Sequence, residues 1–161
     1  MAEAKDSHKY TGMRKFTDAQ GGYFLWIPAG WKHLKMDESG NSYLFTPHED
    51  KIDTGFVTEK RHLEYKVKKD DLPILKEGFI NGINLLPEVE IEKVSDTVTE
   101  QMMGIEVKFS FKEDGQSRIR WMRLIYSGKS LLILSAKGAT PEQFERYQPM
   151  FFNIMMSTTF I

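Results

Sequence analysis

The sequence predicts an α+β fold, an antiparallel β-sheet flanked by helices on both faces. Three observations carry that prediction. Residues 56–68 alternate loosely, and residues 105–111 regularly, between apolar and polar positions, with turn formers between the runs, which is the period of strands. Between Leu72 and Leu86 the period changes to three and four, and the last segment opens on a helix cap at Thr140. Residues 121–126 and 131–134 are apolar at both parities, a pattern strands adopt when both of their faces are covered.

Taken in order, residues 1–9 are polar and predict a flexible N-terminal tail ahead of a single domain at residues 10–161. Tyr-Phe-Leu-Trp-Ile at 23–27 is the first strong strand, stopped by Pro28, Ala29 and Gly30. Residues 31–35 and 42–45 form a hairpin around Asp37, Glu38, Ser39, Gly40 and Asn41, a dense run of turn formers. Residues 56–68 alternate loosely and predict one long strand with a charged, edge-like character. Leu72, Leu75, Phe79, Ile83 and Leu86 then form the stripe of an amphipathic helix, with Asp70 or Asp71 as its cap and Pro73 in its first turn. Gly78 and Gly82 each weaken that helix by about 1 kcal/mol relative to Ala, a cost that close packing on the sheet would offset.

Beyond Pro87 the strand period returns. Residues 89–99 and 105–111 pair across a turn at 101–104, Glu113-Asp114-Gly115 makes the next turn, and Ser127-Gly128-Lys129 joins strands at 117–126 and 130–137. Thr140, Pro141 and Gln143 stand at the N-cap, first helical and capping-box positions of a closing helix. Phe144, Tyr147, Phe151, Phe152, Ile154 and Met155 supply its apolar face, and Pro149 inside it predicts a helix kinked or broken at that point.

Composition bounds the function. The 161 residues make one domain of ordinary size, and 40% hydrophobic residues suffice for a core without staples. Lys and Arg number 22 against 23 Asp and Glu, so the basic excess that a nucleic-acid partner demands is missing. The chain has no cysteine, which excludes disulfides, thiolate metal sites and a thiol nucleophile. No apolar run approaches the ~20 residues of a transmembrane helix, and the first residues lack the apolar centre of a signal peptide. Two compartments stay open: the cytosol, or the outside of the membrane for a mature exported domain with an added Met1.

Three stretches resemble the PsbP-like superfamily, which includes the extrinsic PsbP protein of photosystem II, DcrB-type bacterial proteins and the Mog-type Ran-binding protein. Residues 23–31, Tyr-Phe-Leu-Trp-Ile-Pro-Ala-Gly-Trp, resemble the family's opening strand and its Pro-x-Gly-Trp turn. The helix at about 71–86 lies between two groups of strands, as in the family. Phe144, Tyr147, Pro149, Phe151, Ile154, Ser157 and Phe160 resemble its closing helix and Ser-x-x-Phe tail. The resemblance implies a PsbP-like α/β/α sandwich and a protein that binds rather than catalyses. It favours the exported form and implies nothing about photosynthesis here.

Candidate sites are few. No glycine cluster forms a phosphate loop, and no serine or histidine sits in a nucleophile motif. His48, Glu49, Asp50 and Asp53 offer one imidazole and three carboxylates in a loop, the set a weakly held divalent cation would use, against the alternative of a solvated turn. No other cofactor is expected. Lys60, Arg61, Lys66 and Lys68 read as a basic strip along one strand, either a docking surface for an acidic partner or an edge protected by lysine. Trp31 joins them as an aromatic anchor if exposed, and is core otherwise. Arg123, amid apolar residues, calls for a carboxylate partner. The resemblance thus implies a non-enzymatic binding or assembly domain that engages a protein partner at or outside the cell membrane, with peripheral membrane association open to it. The rival reading is a helix-grip carrier of a small hydrophobic ligand, for which Met102, Met103, Met122, Met155 and Met156 would suit a pliable pocket.

Overall fold

A computed structural model describes residues 12–161; the tail expected at residues 1–9 lies outside the described residues. In chain order the elements are β1 (Met13–Thr17), β2 (Tyr23–Pro28), β3 (Lys32–Lys35), β4 (Ser42–Thr46) and β5 (Gly55–His62). A single 3-10 turn leads into α1 (Leu72–Ile83), followed by β6 (Glu90–Val98), β7 (Met103–Glu113), β8 (Gln116–Ser127) and β9 (Ser130–Lys137). The chain closes with α2 (Pro141–Ser157) and the two-residue β10 (Thr159–Phe160). Seven strands form one sheet in the order β3-β4-β5-β9-β8-β7-β6, and β1-β2-β10 form a smaller one. Every pairing in both sheets is antiparallel.

The register explains the strands that are apolar on both parities. Trp121 faces Ala136 and Ile125 faces Leu132, so these four share one face of the large sheet. That face packs with Leu25 and Ile27 of β2 and with Phe144, Phe151, Ile154 and Met155 of α2, all four of the helix residues fully buried. Leu124, Tyr126 and Leu131 point the other way and join Ile105, Val107 and Phe109 beneath α1. Two cores therefore sit on opposite sides of one sheet, and the expected sandwich is observed.

Local chemistry sets α2. Thr140 accepts a hydrogen bond from the Gln143 N–H at 3.1 Å, as the capping box predicts. The helix runs through Pro149 without a break. Proline lacks the N–H that would bond the Glu145 carbonyl, but Pro149 is exposed while Tyr147, Met150 and Phe151 beside it are buried, so packing on the sheet carries the helix across. Phe152, expected in the apolar face, is half exposed and stacks on Trp121 with ring centroids 6.2 Å apart.

Two expectations change. The strand foreseen at 56–68 stops at His62, and its neighbours are β4 and β9, so it lies inside the sheet rather than at an edge. Leu63 and Val67 donate instead to Lys129 and Gly128 in the β8–β9 turn, which ties the following segment to that turn. Gly78 and Gly82 do not serve close packing either: a Cβ at either would meet nothing within 4 Å.

Candidate functional site

A cleft of about 630 Å³ opens where the ends of β5 and β9 meet the small sheet, and Gln20, Gly22, Asp37, Lys60, Arg61 and Phe160 contribute to its walls. The register places Lys60 opposite Leu132, on the face turned toward β2. There its ammonium meets the carboxylate of Asp18 at 2.6 Å, with Lys60 16% and Asp18 0% exposed at the side chain. Asp18 Oδ2 also accepts from the Gly22 N–H at 3.1 Å, while its Oδ1 is buried without a partner. A Cβ at 22 would stand 3.0 Å from Lys60 Nζ and 3.1 Å from Asp18 Oδ2, so a larger residue there would push on the pair.

The rest of the wall is organised by hydrogen bonds. The Asp37 carboxylate accepts from the Ser39 hydroxyl and from the N–H groups of Gly40, Asn41 and Ser42 at 3.0–3.3 Å. Partial desolvation pushes its pKa up, and these four donors together outweigh it and hold the carboxyl below its ordinary value. Gln20 donates to the Ser39 carbonyl at 3.1 Å, joining the β1–β2 turn to the β3–β4 turn. Arg61 pairs with Glu59 at 2.6 Å on the open rim. Deeper, the Tyr23 hydroxyl meets the Thr58 hydroxyl at 2.7 Å and links the two sheets. Burial, with Asp18 nearby, raises that phenol well above its usual range.

The basic residues read from the sequence fall into two groups at the same end of the large sheet. Lys60 and Arg61 lie on β5, whereas Lys66 and Lys68 lie in the segment after it and line a second recess of about 240 Å³ with Met102, Met103 and Tyr126. They do not form a strip along one strand. The β8–β9 turn borders both recesses, through Ser130 and Gly128. Trp31 is 5% exposed and packs edge-on against Tyr147 and Phe151, so it belongs to the core.

His48, Glu49, Asp50 and Asp53 are not gathered around a common point. His48 Nε2 lies 3.0 Å from the Tyr147 hydroxyl, and Asp53 faces Lys137 in another recess. Among the described residues no group of three or more His, Cys, Asp or Glu is placed to hold a metal ion. Arg123 faces Glu106 across β7 and β8, yet Glu106 accepts from Trp121 Nε1 at 2.8 Å and pairs with Lys93 at 3.3 Å. Arg123 itself forms no ion pair among the described residues.

Asp37, Glu59, Lys60 and Arg61 of the cleft are thus engaged with other charged groups or with the backbone. That arrangement leaves oriented donors and acceptors around an open cleft. The space beneath α2, by contrast, is filled by Phe144, Tyr147, Phe151, Ile154 and Met155, each at most 1% exposed, which leaves no room there for a carried ligand.

No family model and no curated protein matches the sequence. Solved structures do match. The cyanobacterial PsbP (CyanoP) of Synechocystis superposes with a TM-score of 0.71 at 11% identity, covering 95% of each chain. The Saccharomyces cerevisiae Ran-binding protein Mog1p gives 0.59 at 8% identity over 92% of this chain and 95% of its own. LpqN of Mycobacterium tuberculosis, described as involved in cell envelope biogenesis, gives 0.61 at 11% identity over 92% and 90%. At these identities the match establishes shape, and the chain has the PsbP-like fold that the opening strand and closing helix resembled.

Proposed function

We propose that this chain is a non-enzymatic, cofactor-free binding domain that docks a protein partner at the end of the sheet where the polar cleft opens. One observation carries the reading. The core between helix and sheet is filled, while the organised polar groups of Asp37, Gln20, Glu59 and Arg61 stand outside it around an open cleft. Such a surface, with fixed donors and acceptors beside exposed lysines at 66 and 68, suits a macromolecular partner with complementary charge. The Ran-binding function named for Mog1p supports a protein as the partner. Action at or outside the cell membrane is the accompanying proposal, in keeping with the cell-envelope role named for LpqN.

The test is charge reversal at the two recesses of that end, at Arg61 beside the cleft and at Lys66 beside its neighbour. Arg61→Glu with Lys66→Glu alters exposed side chains only, so circular dichroism and melting temperature should match the wild type. Cross-linking in the native host should then lose a partner that the wild-type chain captures. Equal capture by both proteins would remove the cleft from the docking surface.

A further inference from the structure

A second charged cluster lies at the opposite end of the large sheet. Arg120 of β8 is the register partner of Lys137 of β9, and Arg118 shares the face of Arg120 two residues earlier. Three cations therefore crowd one face of two neighbouring strands, and like charges directly opposite each other destabilise a sheet.

The compensation supplied by the chain is partial. Arg118 donates to the Ala139 carbonyl, and its Nε lies 3.4 Å from Glu113 Oε1. That contact lacks hydrogen-bond geometry, so the buried Nε keeps an unused donor. Arg120 rests over the Phe111 ring, 5.0 Å from its centroid. Neither Arg120 nor Lys137 forms an ion pair among the described residues. Burial is the first cause lowering the pKa of both; repulsion from neighbouring cations adds to it, and Glu113, with Asp53 for Lys137, offsets only part.

These groups line a recess of about 60 Å³ together with Asp53, Ile119 and Gly138. A recess of that size suits one small polar group rather than an extended ligand. Three cations against two carboxylates leave a positive charge uncompensated at its wall.

We propose that this recess binds a single oxyanion group between Arg120 and Lys137, with Arg118 as its fixed wall. Planar guanidinium groups beside an ammonium match carboxylate and phosphate oxygens, through charge-assisted bonds stronger than neutral ones. The shared chemistry fits a free phosphate or an acidic side chain offered by a protein. The inference is independent of the cleft at the other end.

The full chain is titrated with sodium phosphate, with acetate and with sodium chloride at matched ionic strength, followed by NMR and by thermal melting. A saturable shift of the Arg120 and Lys137 resonances with phosphate or acetate, and a melting temperature that rises with it, is the expected result. Response to phosphate alone assigns the site to a phosphate, and response to acetate as well assigns it to carboxylates. In Lys137→Gln the apparent Kd should rise about tenfold or more, the loss of one charged hydrogen bond. Relief of the cross-strand repulsion should leave its anion-free melting temperature at or above the wild-type value, which also shows that it folds. Lys66→Gln, at the far end, should respond as the wild type does. An equal effect from chloride, no effect from any anion, or an unchanged response in Lys137→Gln overturns the proposal.

Discussion

Asp18 is 2% exposed, and its two oxygens are served unequally: Oδ2 accepts from Lys60 and Gly22, and Oδ1 from nothing. A carboxylate so placed depends on its cation, because breaking a buried pair from one side leaves an uncompensated charge. Lys60→Met should therefore cost about 3 kcal/mol or more in urea denaturation. Removing both charges, as Asp18→Asn with Lys60→Met, should recover most of that loss, since a missing pair is cheaper than half a pair. Additive losses in the two single variants would show that the pair is not coupled. The sequence displayed Lys60 as a member of a basic run but gave no sign of Asp18. The partners are 42 positions apart, and the packing of the small sheet on the large one brings the Asp18 turn over β5. The same holds for Gln20, Asp37 and Phe160 in the cleft. None is marked as part of a site in its own stretch of sequence, and the cleft exists only once five separate segments have met.

Elements defined by nearby residues were legible, and elements defined by distant ones were not. The cap at Thr140, the hairpins at 37–41 and 127–129 and the α1 stripe all follow from chemistry within a few residues. β10 has only two residues, held by Phe24 and Tyr23 from the other end of the chain, and no local pattern announces it. β5 ends before residue 68 for a related reason: residues 63–68 keep alternating, but the N–H groups of Leu63 and Val67 donate to the β8–β9 turn. In α2 the apolar residues look alike in sequence but differ in burial. Phe151 is 0% exposed and Phe152 50%. Phe151→Ala should cost about 3–5 kcal/mol by opening a cavity in the main core. Phe152→Ala should cost about 1 kcal/mol, mostly the aromatic contact with Trp121. Chemical denaturation compares them directly, and equal losses would mean that the helix is rotated from the observed placement.

The two cores differ in how firmly they hold their helices. α2 buries Phe144, Tyr147, Met150, Phe151, Ile154 and Met155 between the sheets, whereas α1 buries only Leu72 and Ile83. Ile74 in α1 and Leu85 just after it are 76% and 86% exposed, and β6, the edge strand beside it, is exposed along most of its length. Segments with few buried apolar contacts open at lower free energy than the global transition. Gly78 and Gly82 add to this, each costing α1 about 1 kcal/mol relative to Ala with no packing gained in return. Native-state hydrogen exchange should therefore find the amides of 76–83 opening below the free energy of those in 147–155. Gly78→Ala with Gly82→Ala should raise protection in α1 by up to about 2 kcal/mol while leaving α2 unchanged. If α1 and α2 exchange only together, through global unfolding, the two cores are one cooperative unit. Separate exchange would instead mark α1 and β6 as a flap, closed over a sheet that α2 and the small sheet hold together without it.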